Sequence, residues 1–137
     1  MNVVVDTCCF VSFFMKDGKY PQSLALLEKI ASKQIEGIIS AITFVELCGV
    51  LKRNVSEQDT QAARQKILRL ISGGFLQVIP LTISDAERAS DVAITTGLKG
   101  ADAIIVEAAK RTNASLFTFD DELKKKARGL VTFYERA

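Results

Sequence analysis

Four acidic residues stand where a charge is costly. Asp6 is the only charge among the first 15 residues and closes the β-branched run NVVVD. Glu46 is the only charge in GIISAITFVELCGVL, residues 37–51. Asp102 lies in the first turn of an Ala/Ile/Val-rich segment, ADAIIVEAAKR, and Asp120 closes SLFTFD. A buried carboxylate without a partner prefers to take up a proton rather than stay charged. Each of the four has a plain structural explanation: Asp6 can cap a turn, and Asp102 or Asp120 can complement the dipole of a helix start. Gathered in one place, however, they would repel one another, and a bound cation is the economical compensation. Oxygen-only ligands select hard ions, so Mg²⁺ or Mn²⁺ is expected. Such ions activate water and neutralise charge at a phosphodiester, which makes metal-assisted phosphodiester hydrolysis the chemistry to look for.

Other chemistries are excluded by composition. The chain has no histidine, which removes Ser-His-Asp and Cys-His catalysis, His-ligated zinc and imidazole as a general base. Its 3 cysteines, Cys8, Cys9 and Cys48, fit no disulfide framework or zinc spacing and read as small buried side chains. A formal charge of +2 is too small to name a partner. Local basic runs at Lys52-Arg53 and Lys124-Lys125-Lys126 with Arg128 suit solvated helix faces. With 137 residues, 48% apolar and 25% charged, the expectation is one globular domain spanning 1–137. No apolar run is long enough to cross a bilayer, and FVSFFM lacks the flanks of a signal peptide. A soluble, cytoplasmic protein with no membrane partner is expected.

The elements that must position the four acids alternate in type. NVVVD (2–6), GIIS (37–40), FLQVIPL (75–81), SLFTF (115–119) and LVTFY (130–134) read as five strands, their continuous apolar character suiting a parallel sheet buried on both faces. Between them lie helical patterns. One follows Tyr20-Pro21, with Leu24, Leu27, Ile30 and Ala31 on one face, and another covers 41–53. A third covers 57–72, capped by Ser56 and ended by Gly73-Gly74. The fourth is capped by Ser84, with Glu87 completing the box, and ends at Gly97. A fifth opens at Gly100 and a short sixth is DDELKKKA. Alternation of this kind argues for an α/β sandwich. In doubly wound sheets ligands bind at the carboxyl ends of the strands, where strand order reverses. If strands one and four are neighbours there, Asp6 and Asp120 face each other. Asp102 then lies on the helix leading into strand four, and Glu46 follows strand two on the same edge.

At these residues the chain resembles the PIN-domain nucleases, and within them the VapC-like toxins of prokaryotic toxin–antitoxin pairs. VVVDTCCF is similar to the family's opening strand with its first acid, Asp6. SAITFVEL resembles the S-x-x-T-x-x-E-L element, giving Ser40, Thr43 and Glu46. GLKGADAIIVEAA is similar to the G-L-x-x-x-D-A segment with Asp102, and LFTFDDEL to the T-x-D element with Thr118 and Asp120. Asp121 competes for the last place. Asp120 is preferred because alternate residues of a strand share a side, which pairs it with Thr118.

The resemblance implies a Rossmann-like three-layer α/β/α fold with a parallel sheet of about five strands, and an Mg²⁺- or Mn²⁺-dependent endoribonuclease acting on single-stranded RNA. It also implies a homodimer and a cognate antitoxin protein. Asp6, Glu46, Asp102 and Asp120 would hold the metal, with Thr7, Ser40, Thr43 and Thr118 fixing their orientation. Lys16, Lys52, Arg53 and Lys99 are the candidate RNA contacts. Two other readings stay open: a PIN nuclease of RNA processing with no antitoxin, and a non-catalytic metal-binding interaction module. An aspartyl-phosphate phosphatase would need D-x-D after strand one, where Cys8 stands. A receiver domain would need its Asp after strand three, where the chain reads Ile79-Pro80-Leu81.

Overall fold

The computed structural model describes residues 1–135 of the 137. Its sheet is four-stranded and wholly parallel, in the order β3-β2-β1-β4, with β1 at Asn2–Val5, β2 at Glu36–Ser40, β3 at Leu76–Ile79 and β4 at Ser115–Phe117. Alternate strand residues divide between two cores, because successive side chains leave a strand on opposite faces. Val3, Val5, Ile39, Leu76 and Phe117 enter one core, and Val4, Ile38, Ile79 and Leu116 enter the other. The first core is covered by α1 (Thr7–Met15), α2 (Tyr20–Ala31), α3 (Ala41–Asn54) and α4 (Glu57–Ser72). The second is covered by α5 (Ile83–Thr96), α6 (Gly100–Thr112) and α7 (Asp121–Lys126). The result is the three-layer α/β/α arrangement expected from the alternating pattern. No helix among the described residues is long and apolar enough to cross a membrane.

Several local expectations are corrected. The stretch after Asp6, left without an assignment, folds as α1. Its TCCFVSFFM sequence is apolar almost all round and so shows no one-sided period. On α2 the inward residues are Ser23, Leu26 and Ile30, while Leu24 and Leu27 are half-buried and Ala31 is exposed. The cap of α5 is Thr82 rather than Ser84. Thr82 and Asp85 form a reciprocal capping box two residues upstream of the Ser84/Glu87 pair, and Asp85 gains ion pairs there that Glu87 lacks.

Residues 130–134 do not form a fifth strand. Leu116 N–H donates to the Thr132 carbonyl at 2.9 Å and Tyr134 N–H to the Leu116 carbonyl at 2.9 Å, but pairing stops at the Leu116–Phe133 bridge. β4 is only 3 residues long and its next residue, Thr118, turns towards Asp6. The strands expected at 75–81 and 115–119 are shorter, Leu76–Ile79 and Ser115–Phe117, whereas the Ser56 cap and the whole span of α4 are as expected.

Candidate active site

Strand order reverses between β1 and β4, since β2 lies on one side of β1 and β4 on the other. That reversal opens a crevice at the carboxyl edge of the sheet. Asp6 leaves the end of β1 here, its N–H donating to the Phe117 carbonyl of β4 at 3.0 Å. It is also the N-cap of α1, with Oδ1 accepting from Thr7 N–H at 2.8 Å. Its other oxygen, Oδ2, accepts from the Thr118 hydroxyl at 2.6 Å and from the Cys8 thiol at 3.5 Å. Thr118 in turn accepts from Asp120 N–H at 3.1 Å, so one hydroxyl ties the first acid to the turn that carries the fourth. Asp120 is exposed and caps α7 through Glu122 N–H and Leu123 N–H. Asp6 and Asp120 each cap a helix at this edge of the sheet, and the cap fixes the orientation of the carboxylate.

Glu46 arrives on α3, half-buried, and its Oε1 accepts from the Thr7 hydroxyl at 2.8 Å. Thr7 therefore holds Asp6 with its N–H and Glu46 with its side chain. The support expected from Thr43 is absent: Thr43 is 1% exposed and its hydroxyl has no hydrogen-bond partner among the described residues. Ser40 is spent elsewhere, capping α3 by accepting from Ile42 N–H at 3.3 Å. Asp102 lies in the first turn of α6, beside the positive end of that helix.

The electrostatics identify which acids share the crevice. Burial raises the Asp102 carboxyl to about 6, and the charges of Asp6, Asp120 and Glu46 add to the rise, with Lys99 alone lowering it. Asp120, and not Asp121, is among the charges that act on Asp102. Burial also lifts the Asp6 carboxyl above its ordinary value, opposed by the Thr118, Thr7 and Cys8 hydrogen bonds and reinforced by the Asp120 charge. None of the four forms a salt bridge to a Lys or Arg among the described residues. Nor, among those residues, does any group of three or more His, Cys, Asp or Glu side chains stand in an arrangement that could hold a metal ion. Four carboxylates with no paired cation among the described residues nevertheless supply the oxygen donors that a hard divalent ion selects.

The sequence gives no role to Cys8, which the structure places in this network. Its thiol donates to Asp6, accepts from Phe119 N–H at 3.3 Å and, pushed up to about 12 chiefly by burial, stays protonated. Of the candidate RNA contacts, Lys99 lies close enough to act on Asp102, whereas Lys16, Lys52 and Arg53 are exposed and contribute nothing to that shift.

Sequence reasoning missed two other buried acids, Asp85 and Glu107. They face Arg88 and Arg111 across α5 and α6 in a closed circuit: Arg88 pairs with both acids, and so does Arg111. The Asp85 carboxyl is lowered, first by its hydrogen bond from Thr82 N–H. The i,i+3 and i,i+4 spacings to the arginines were the available signal. A cavity of about 640 Å³ opens over Arg88, Glu107, Arg111 and Leu130, and these three charged side chains belong to the paired circuit.

The PIN-domain family profile matches residues 3–129, nearly the whole chain and all four crevice acids. The chain belongs to the PIN-domain family. PIN domains as a family are nucleases. Solved structures repeat the fold at low identity. VapC20 of Mycobacterium tuberculosis, described as a Sarcin-Ricin loop cleaving toxin, superposes with a TM-score of 0.76 at 17% identity, covering 95% of this chain and 98% of that one. VapBC2 of Rickettsia felis, bound to a DNA fragment from their promoter, gives 0.71 at 19% identity, covering 98% of both chains. A toxin-antitoxin complex from Klebsiella pneumoniae gives 0.67 at 22% identity, covering 93% of this chain and 91% of that one. No curated protein matches the PIN chain in sequence.

Proposed function

We propose that this PIN domain is an Mg²⁺- or Mn²⁺-dependent endoribonuclease that cleaves single-stranded RNA, and that it is the toxin of a VapBC-type toxin–antitoxin pair. It would act in the cytoplasm as a homodimer restrained by a cognate antitoxin. The observation that carries the nuclease reading is the set of acids at the strand-order reversal, with Asp6 braced by Thr7 and Thr118, Glu46 braced by Thr7, and no salt bridge to any of the four among the described residues. The toxin assignment draws its support from structural neighbours whose descriptions name toxins or toxin–antitoxin complexes.

Asp6, Glu46, Asp102 and Asp120 would hold the divalent ion. When bound, such an ion supplies charge neutralisation at the phosphodiester and activation of water. The protein's own contribution is orientation. Thr7 and Thr118 lock Asp6 and Glu46 by hydrogen bonds of 2.6 to 2.8 Å, so these carboxylates keep their remaining lone pairs directed and unswivelled. Any carboxylate not saturated by the ion orients the attacking water by accepting its hydrogen bond. With no histidine in the chain, the leaving oxygen takes its proton from solvent-derived water.

The reading is tested with purified protein and an unstructured oligoribonucleotide. Cleavage is expected in Mn²⁺, not in EDTA, and is expected to fall at least about 100-fold in Glu46→Gln. Equal cleavage by wild type and variant would mean a contaminating nuclease. For the toxin assignment, growth arrest is expected when the chain is expressed alone and not when it is co-expressed with its neighbouring open reading frame. Equal growth would remove that assignment and leave the nuclease.

A further inference from the structure

Four carboxylates make the crevice hostile to the polyanion it is proposed to cleave, so cations at its rim have to offset the repulsion during docking. Lys99 marks the Asp102 side. Lys19, a residue outside every functional motif of the sequence, reaches Phe119, the chain neighbour of Asp120. Its ammonium lies 5.7 Å from the centroid of the Phe119 ring, and Phe119 is the residue between Thr118 and Asp120. The platform is fixed from two directions. Phe119 N–H donates to Cys8 Sγ at 3.3 Å, and its ring meets Phe117 edge to face at 5.2 Å.

Lys19 is fixed as well. Its backbone N–H donates to Asp17 Oδ1 at 2.9 Å, while Asp17 Oδ2 accepts from the Ser12 hydroxyl at 3.1 Å. The nearest acid in sequence is therefore engaged by the backbone and by Ser12. Among the described residues the Lys19 ammonium has no carboxylate within salt-bridge distance, and the side chain is exposed. A cation held by an aromatic face keeps its full charge for an external anion, whereas one held by a carboxylate does not.

We propose that Lys19, held over Phe119, is a phosphate-positioning residue that seats the backbone of single-stranded RNA beside Asp120, with Lys99 on the Asp102 side. The proposal rests on the nuclease reading for its substrate and adds to it a defined contact. It also gives the strand a path across the site, between the loop before α2 and the start of α6. An acidic protein segment is the competing occupant and is separated from RNA by the test.

The experiment compares the full chain with Lys19→Ala, Lys19→Arg and Phe119→Leu. Binding of a short, labelled, unstructured oligoribonucleotide is measured in EDTA across a salt series, and cleavage is measured in Mn²⁺. Lys19→Ala is expected to weaken RNA binding about 5- to 10-fold and to reduce the slope of log affinity against log salt by about 0.7, one phosphate contact on a single strand. The loss is expected in KM rather than kcat, with Lys19→Arg restoring it and Phe119→Leu intermediate. Unchanged affinity and slope in Lys19→Ala overturn the proposal, as does a loss confined to kcat. So does a protein that binds no RNA but takes up an acidic peptide through Lys19. The two readings fail separately: RNA binding through Lys19 without cleavage removes the nuclease and keeps the contact, whereas cleavage indifferent to Lys19 does the reverse.

Discussion

Asp6→Asn is expected to reduce metal-dependent RNA cleavage about 1,000-fold, close to 4 kcal/mol of lost transition-state stabilisation. It should do so without unfolding the protein. Asn is as good an N-cap as Asp, so the Thr7 N–H that closes α1 keeps an acceptor. The variant should in fact be more stable than wild type when metal is absent. Burial raises the folded-state pKa of Asp6, and a raised carboxyl contributes stability that is complete below its unfolded value and lost as pH rises through its folded value. At neutral pH wild type carries that loss and Asn does not.

Asp102 behaves in the same way, with a window from its ordinary 3.8 up to about 6. Metal-free wild type should accordingly melt at higher temperature at pH 5 than at pH 7, and Asp6→Asn should show a smaller difference. Asp85, whose carboxyl is lowered, works in the opposite sense but only at more acidic pH. A cleavage loss accompanied by a collapsed melting temperature would assign Asp6 to the fold and not to the chemistry.

Saturating Mn²⁺ is expected to reverse this instability. Free ion at about 100 times its dissociation constant stabilises the folded state by about 2.7 kcal/mol, which for a domain of this size is a rise of about 8 °C in Tm. Binding should also release protons near pH 6, because Asp102, raised to about 6, must give up its proton to become a ligand. EDTA should abolish the shift, and Asp6→Asn and Asp102→Asn should each remove most of it. An equal shift in wild type and Asp6→Asn would place the ion elsewhere.

How much of this was legible in the sequence differs from residue to residue, for physical reasons. Asp6 and Glu46 stand out because apolar neighbours give a lone charge contrast, and that contrast reflects half or full burial in the fold. Asp85 and Glu107 are as buried as Asp6, yet each has an arginine three or four positions on, and their full compensation depends on how α5 packs on α6. The strand-to-helix alternation foretold three layers and a parallel sheet. It overcounted the strands because pairing at 130–134 is limited by a β4 that leaves the sheet at Thr118.

Thr43, one helical turn from Glu46, is the support that local spacing suggests. The support comes instead from Thr7, 39 positions distant, across a contact between α1 and α3 that no local period encodes. The same is true of Cys8, whose partner Phe119 is brought to it by the β1–β4 pairing. Family membership could be read from four short motifs in order, whereas the hydrogen bonds that brace their carboxylates, and the lysine at the rim, required the folded chain.

The central claim is that the crevice carboxylates hold the ion on which cleavage depends. A crystal of the full chain soaked in Mn²⁺, with anomalous data at the manganese edge, tests it most directly. A single strong peak is expected in the crevice, about 2.0–2.3 Å from a carboxylate oxygen of Asp6 and within direct or water-bridged reach of Glu46, Asp102 and Asp120. A crevice without a peak, in protein that still cleaves RNA only when Mn²⁺ is present, would contradict it.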